Sequence, residues 1–217
     1  MDLQTSPLSA AAAPEPLATG DRSRLLIEAA GELLAESGLE GLTIRAVLKR
    51  TGLARRAFYE SFAGKDDLVL AVFEQTLREA AAHFREEARA AASPLDKIKV
   101  AVVGLVTGAI ANQHAFGEQR VRAMVHEHLR LAETRPEELQ AALQPLLDFI
   151  AEQVTEGIRI GQLRDSQPVL QATLIYNLVA TTVHTMLMMR EDRTGAEERR
   201  EQLAGEIWEF SRRAIIV

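Results

Sequence analysis

The chain has 217 residues and a formal net charge of −6, and 47% of its residues are hydrophobic while only 5% are aromatic. This length is enough to bury a real hydrophobic core, as one large domain or as a small domain joined to a larger one. Because the chain contains no cysteine, disulfide frameworks and thiolate metal sites are excluded. Abundant Ala and Leu with few Gly and Pro favour a mostly helical protein.

Two segments bear on where the protein resides. Residues 1–20 are rich in Ala, Pro and Ser and lack the basic start and apolar core of a signal peptide, so we expect a disordered tail and a cytoplasmic protein. Residues 169–189 carry no formal charge and are long enough to cross a bilayer. Polar side chains interrupt this stretch and would be costly in lipid, so we expect a helix buried in the protein and no membrane span.

Helical periodicity runs through most of the chain, and no strong alternating pattern of a β-strand appears. Asp21 is the expected N-cap of the first helix and Thr43 that of the second, because both side chains can accept hydrogen bonds from unpaired amides. Gly52 lies in the tight turn that follows the second helix. A less regular segment is expected over residues 113–131. Helices are predicted over residues 21–38, 43–50, 54–62, 64–92, 94–112, 135–160, 168–190 and 196–214.

The charge pattern of residues 42–68 is the most informative feature of the sequence. Within residues 43–65, six Lys or Arg side chains stand against the single acid Glu60, in a protein that is acidic overall. Two short helices joined by a glycine turn are the plan of the helix-turn-helix motif, whose second helix enters the major groove of DNA. Arginine matches the O6 and N7 acceptors of guanine. Charge and spacing together predict a compact DNA site, with the helix-turn-helix over about residues 43–62.

The patterns LTIR, TGL, FYESF and KDDL in this segment resemble the DNA-binding domain of the TetR family of transcriptional regulators, over about residues 21–76. Residues 77–217 resemble the family only in plan. The resemblance implies an all-α protein with an N-terminal three-helix DNA-binding domain and a larger helical domain for ligand binding and dimerisation. The residues expected to contact phosphates are Thr43, Tyr59 and Lys65, those expected at or near base edges are Arg45, Arg55 and Arg56, and Ser61 completes the expected DNA-binding set.

The sequence departs from the family pattern in two places. Ala54 stands where the family has Ser or Thr as the N-cap of the third helix, and the loss of such a cap costs roughly 1 kcal/mol. Glu60 and Ser61 stand where aromatic residues or histidine are common. Because an acid facing phosphate is repulsive, Glu60 either points away from DNA or accepts a hydrogen bond from a cytosine amine.

The resemblance implies a repressor that binds a palindromic operator as a homodimer and is released by a small-molecule effector. Candidate effector contacts are polar or soft side chains on otherwise apolar helices, for which core or dimer packing is the alternative: Phe116, Met124, His128, Tyr176, His184 and Met188. The last two helices resemble the pair that forms the dimer interface in the family. The candidate interface residues are Leu203, Ile207 and Phe210.

Two other classes of function stay open at this point. A partner-binding helical protein that keeps the helix-turn-helix only as a scaffold has no need of the positive charge around the third helix. An enzyme with an all-helical cavity would need a nucleophile motif, a phosphate loop or metal-ligand spacing, and the sequence contains none of these patterns. We therefore expect no enzymatic activity, no metal site and no cofactor.

Overall fold

The computed structural model describes residues 18–107, 118–188 and 196–217, and these residues are almost entirely helical. An isolated antiparallel bridge between Leu163 and Ile216 joins the turn after the seventh helix to the C-terminus. The helices of the described residues are α1 (Thr19–Gly41), α2 (Ile44–Thr51), α3 (Arg55–Ser61), α4 (Lys65–Glu87), α5 (Pro94–Thr107), α6 (Glu118–Thr134), α7 (Pro136–Arg159), α8 (Pro168–Met188) and α9 (Ala196–Ile215).

The start of α1 differs from the prediction. The helix begins at Thr19 with Ala18 at its N-cap and no side-chain cap, so Asp21 lies in the first turn and does not cap the helix. An acid in the first turn still interacts favourably with the helix dipole. Residues 19 and 20 of the predicted tail are therefore helical, and its residues 1–17 lie outside the described residues.

The largest error of the prediction concerns α6, which is a regular helix of 17 residues where an irregular segment was expected. Its apolar periodicity is interrupted because polar side chains occupy part of its inner face. Glu127 is 2% exposed, and its carboxylate accepts hydrogen bonds from Arg130 at 2.6 and 2.9 Å. Arg120 donates to Thr76 of α4 at 2.8 Å. Buried polar groups that are paired in this way stabilise a helix, but they do not add to the hydrophobic periodicity by which a helix is recognised in the sequence.

The hydrophobic core forms two clusters, which α4 and α6 connect. The N-terminal cluster packs α1, α2 and α3 against one side of α4 and against Ala123 of α6. The C-terminal cluster packs α5, α7, α8 and α9 against the rest of α4. Met124 of α6 contacts both clusters. Any shift of α4 or α6 therefore disturbs packing in both halves of the molecule.

The uncharged helix α8 buries one side and exposes the other. Tyr176 and Val179 lie in the C-terminal cluster, whereas Val169, Leu170 and Leu174 are exposed. No helix in the described part of the chain is long and apolar enough to cross a membrane. The exposed apolar side of α8 thus offers a surface that another protein surface can cover.

Candidate nucleic-acid interface and cavity

The turn between α2 and α3 has the geometry of a helix-turn-helix. The Oγ1 atom of Thr43 accepts a hydrogen bond from the Ala46 amide at 3.1 Å and so caps α2. Gly52 ends α2 with φ of 70° and donates its amide to the Leu48 carbonyl at 3.0 Å. Glycine adopts this left-handed conformation without steric cost. The predicted cap and the predicted turn are both confirmed.

Helix α3 has only seven residues and begins without a side-chain cap. Ala54 at its N-cap position contributes only its carbonyl, which accepts from the Ala57 amide at 2.9 Å. Phe58 is fully buried in the N-terminal cluster and makes an edge contact with the Tyr59 ring at 5.3 Å. Since so short a helix is marginal by itself, burial of Phe58 is what holds α3 in place.

The outer side of α3 displays a preorganised arginine-tyrosine pair. The Nη2 atom of Arg55 donates to the Tyr59 hydroxyl at 3.2 Å, and its guanidinium lies 5.5 Å from the centre of the Tyr59 ring. Tyr59 is 48% exposed. A guanidinium held over an aromatic ring loses less freedom when it binds a further acceptor, so this pair is suited to contact DNA.

Glu60 is held by two cations of the protein itself. Its Oε2 atom accepts from Arg22 of α1 at 2.9 Å, and its Oε1 atom accepts from Arg56 at 2.8 Å. The sequence left open whether Glu60 points away from DNA or accepts a hydrogen bond from a cytosine amine. In the structure its carboxylate is hydrogen-bonded to Arg22 and Arg56 of the protein. Glu60 therefore links α3 to α1, and its negative charge partly offsets the positive charge of Arg56.

Two further cations of the basic segment, Arg50 and Lys65, form contacts with other residues of the protein. Arg50 pairs with Glu36 at 2.7 Å and Glu32 at 3.3 Å, and this pairing lowers the pKa of Glu36. The Nζ atom of Lys65 donates to the Leu39 carbonyl at 2.9 Å. The charge pattern of the sequence therefore overstates the uncompensated positive charge of this segment.

Three predicted DNA contacts remain to be placed. Arg45 is exposed on α2 and forms no ion pair with any residue that the structure describes. Ser61 lies at the end of α3, where its hydroxyl donates to the Ala57 carbonyl at 3.3 Å. The hydroxyl of Thr43 keeps its own proton while capping α2, so it can donate to a phosphate oxygen.

A cavity of about 180 Å³ lies between α4, α6 and α8, and its wall is mostly apolar. The structure brings four of the predicted effector contacts together in this wall: Met124, His128, Tyr176 and His184. Phe116 and the side chain of Met188 lie outside the described residues. The described residues hold no group of three or more His, Asp or Glu side chains placed to share a metal ion.

The polar groups at one end of the cavity belong to the aromatic side chains Tyr176, His128 and His184. The Tyr176 hydroxyl lies 3.2 Å from Nδ1 of His128. Burial lowers the pKa of His128, with a smaller contribution from His184, and burial raises the pKa of the Tyr176 hydroxyl. The Nδ1 atom of His184 is buried and has no hydrogen-bond partner among the described residues.

Arg120 of α6 is a cavity residue that the sequence reasoning missed. It lines the cavity and packs over α1, where a Cβ atom added to Gly31 would lie 3.6 Å from its Nη1 atom. Burial lowers the pKa of Arg120 to about 10. Because it precedes Met124 by four residues and His128 by eight, helical spacing would have found it, had this segment been recognised as a helix.

Ion pairs join the cavity helix to the base of the DNA-binding region. Arg130 of α6 reaches Asp66 at 3.7 Å, and Arg135, just after α6, donates to Asp67 at 2.9 Å. Both acids lie in the first turn of α4. Helices α4 and α6, which both line the cavity, are therefore linked at the N-terminal end of α4, next to α3.

The predicted dimer contacts of α9 divide between core and surface. Ile207 is 5% exposed and belongs to the C-terminal cluster, and Leu203 packs against that cluster. Phe210 is 66% exposed. Because Ile207 faces the hydrophobic core, Phe210 is the one of these three side chains that is exposed to solvent.

Comparisons with known proteins agree with this architecture. A family model described as bacterial regulatory proteins, tetR family, matches residues 26–72. The fatty acid metabolism regulator protein of Bacillus subtilis (strain 168) is 25% identical over 164 residues, which are 75% of this chain and 82% of that protein. The HTH-type transcriptional repressor KstR2 of Mycobacterium tuberculosis (strain H37Rv) is 24% identical over 168 residues, 72% of this chain and 75% of that protein.

The fold is also found among solved structures. The crystal structure of the transcriptional regulator FadR from Bacillus subtilis, a complex with stearoyl-CoA, matches with a TM-score of 0.65 and 20% identity. The match covers 87% of this chain and 96% of that one. The all-helical fold with an N-terminal helix-turn-helix domain is thereby confirmed.

Proposed function

The chain belongs to the TetR family of bacterial regulatory proteins, and we propose that it is a cytoplasmic repressor. In this proposal it binds a palindromic operator as a homodimer and leaves it when a small molecule fills the cavity. Residues 21–76 form the DNA-binding domain, and residues 77–217 bind the effector and dimerise. The family is one of transcriptional regulators and not of enzymes.

The observation that carries the proposal is the two-sided character of α3. Its inner side, with Ala57 and Phe58, is buried, and its outer side presents Arg55 and Tyr59 to solvent. The second helix of a helix-turn-helix lies in the major groove with its N-terminal residues at the base edges. Arg55 and Arg56 occupy that end of α3, so we assign them to base edges and assign Tyr59 to a phosphate.

Dimerisation would use the apolar surface of α8 and α9. Exposed aromatic and aliphatic side chains such as Phe210, Leu170 and Leu174 are costly in water unless another surface covers them. A two-fold dimer places its two recognition helices about 34–36 Å apart, which matches successive major grooves on one face of DNA. A palindromic operator follows from that symmetry.

Release by an effector requires that the ligand bind one state of the dimer better than the other. The cavity lies between α4 and α6, and these helices contact both hydrophobic clusters. The FadR structure is a complex with stearoyl-CoA, and the apolar wall of this cavity likewise favours an effector with a hydrocarbon part. Occupation of the cavity would displace α4 or α6 and with them the DNA-binding domain.

Selection of fragments that the protein retains from its own genomic DNA tests the DNA-binding assignment. We expect a small set of palindromic fragments whose binding weakens steeply as salt increases. The loss of a base-contacting arginine costs about 1–3 kcal/mol, so Arg55→Ala combined with Tyr59→Phe is expected to weaken operator binding at least about tenfold.

Arg50→Ala is the matched control, because it also removes an arginine of the basic segment, but one that is paired with Glu32 and Glu36. Its operator affinity at fixed salt is expected to stay near that of the wild type. If the Arg55→Ala, Tyr59→Phe protein bound the operator with wild-type affinity, α3 would not be part of the DNA interface. Failure to retain any genomic fragment would favour a partner-binding protein instead.

Sedimentation equilibrium tests the proposed interface. Phe210→Asp places a charge on the exposed apolar surface and is expected to convert the dimer to a monomer. Ile160→Asp is the control, since Ile160 is also an exposed apolar residue but lies at the end of α7. A dimer that survives the Phe210 change and dissociates with the Ile160 change would relocate the interface.

A further inference from the structure

The cavity carries polar groups at two separate ends. Arg120 and His128 both line it, and they are eight residues apart on α6, a rise of about 12 Å along the helix axis. Met124 lies between them on the same side of the helix. A ligand that touches both ends must be extended, with an apolar middle part.

The Arg120 end is suited to an anion. Its guanidinium keeps its positive charge at neutral pH although burial lowers its pKa to about 10. It donates to the hydroxyl of Thr76 at 2.8 Å, and the proton of that hydroxyl goes to the Val72 carbonyl at 2.7 Å. A guanidinium has five N–H donors and can serve more than one acceptor. Among the described residues of the cavity wall there is no Asp or Glu, and the charge of Glu79 offsets part of the effect of burial on the pKa of Arg120. A carboxylate placed here gains charge-assisted hydrogen bonds away from bulk water.

The opposite end is suited to a neutral oxygen. Burial and the neighbouring His184 favour the uncharged imidazole of His128. The buried Nδ1 atom of His184 lacks a hydrogen-bond partner among the described residues, and the Tyr176 hydroxyl lies 3.2 Å from Nδ1 of His128. A ligand hydroxyl can donate to one of these groups and accept from another.

We propose that the effector is a short carboxylic acid with a second oxygen at its far end. Its carboxylate binds Arg120, its hydrocarbon part lies along Met124, and its terminal hydroxyl or keto oxygen lies between His128 and His184. This proposal rests on the proposed function, because it treats the cavity as the effector site. An apolar cavity of about 150 Å³ holds one benzene molecule, so the 180 Å³ found here suits a chain of about eight carbons.

Calorimetric titration of the wild-type protein with a matched series of probes tests the two ends separately. The probes are ω-hydroxyoctanoate, octanoate, and the methyl ester of ω-hydroxyoctanoate. We expect ω-hydroxyoctanoate to bind most tightly and the ester to bind at least about tenfold more weakly, since a hydrogen bond to a charged group is worth about 1.5–3 kcal/mol. Octanoate, which lacks the far oxygen, is expected to fall between them.

Variants then assign each preference to a side chain. Arg120→Met is expected to abolish the preference for acid over ester, and Arg120→Lys to retain part of it. His184→Leu is expected to abolish the advantage of ω-hydroxyoctanoate over octanoate. Far-ultraviolet circular dichroism checks that each variant is folded. If Arg120→Met does not fold, the acid-ester comparison on the wild type decides.

Three results would overturn the inference: equal binding of acid and ester, an acid preference that survives Arg120→Met, or no binding of any acid at millimolar concentration. The titrations contain no DNA. Their failure therefore leaves the repressor assignment intact, and a failure of operator selection leaves the ligand result intact.

Discussion

The DNA-binding region and the cavity use arginine in opposite ways. Arg55 and Arg56 are exposed on α3, so their charges act through water and are screened by salt. Arg120 is largely withdrawn from solvent, so its charge is screened less and acts more strongly on whatever shares the cavity. The comparison shows that the same residue type is suited to a long polyanion when it is exposed and to a small ligand when it is buried.

The largest expected effect tests whether the two hydrophobic clusters are separable. Phe58 is fully buried in the N-terminal cluster, and Phe58→Ala is expected to cost about 3–5 kcal/mol through lost burial and a residual cavity. Urea unfolding should be followed both by circular dichroism and by the fluorescence of Trp208, the single tryptophan, which lies in the C-terminal cluster. We expect the circular dichroism transition to move to lower urea while the Trp208 transition moves less.

Phe149→Ala is the control, because Phe149 is equally large and nearly fully buried but lies in the C-terminal cluster. It is expected to shift the Trp208 transition strongly. If both variants lower both transitions equally, the molecule unfolds as one cooperative unit and the division into two clusters has no energetic meaning.

A smaller effect is expected when the acid of α3 is neutralised. Glu60→Gln keeps the shape of the side chain but releases the charge of Arg56, now held at 2.8 Å. Each added phosphate contact raises the salt slope of DNA binding by about 0.9, so affinity for a non-specific duplex should rise roughly five- to tenfold at moderate salt.

Fluorescence anisotropy at several salt concentrations measures this change. Glu201→Gln alters the net charge by the same amount at an exposed position of α9, and it is expected to leave the slope unchanged. An equal gain in both variants would attribute the effect to overall charge and not to the surface of α3.

The missing cap of α3 offers an opportunity to stabilise the DNA-binding region. Ala54 has the extended backbone of an N-cap residue, with φ of −69° and ψ of 150°, but no side-chain bond. Ala54→Ser is expected to add about 1 kcal/mol of stability, and Thr43→Val, which removes the existing cap of α2, to subtract about as much. Thermal unfolding measures both, and a destabilised Ala54→Ser protein would show that α3 does not depend on local capping.

The smallest effect concerns the cavity and pH. The pKa of His128 is lowered below its ordinary value of 6.5 when the protein folds, so the unfolded chain binds this proton more readily. Stability is therefore expected to decline as pH falls through 6.5, until His128 is protonated in the folded state as well. His128→Gln should flatten this decline in urea unfolding, and His83→Gln, at a partly exposed surface position, should not. If the decline in stability were unchanged in His128→Gln, titratable groups other than His128 would be its cause.

The helix-turn-helix was predictable because its signals act within a few residues. Thr43 caps the amide three positions later, and Gly52 accepts its left-handed conformation whatever surrounds it. The identities of Met124, His128, Tyr176 and His184 were likewise sufficient to nominate them for the cavity wall. Arg120 was not nominated, because the helix that carries it was not recognised.

The sequence by itself determined the helical class of the protein, the short helices around Gly52 and the membership of Arg45, Arg55 and Tyr59 in a basic segment. Tertiary structure decided which of its charges are paired with distant residues. Besides its local partner Arg56, Glu60 pairs with Arg22, 38 residues away in the chain, and the partners of Arg50 are 18 and 14 residues away. Such pairings depend on how whole helices pack, and no local pattern encodes the distance between two side chains on different helices.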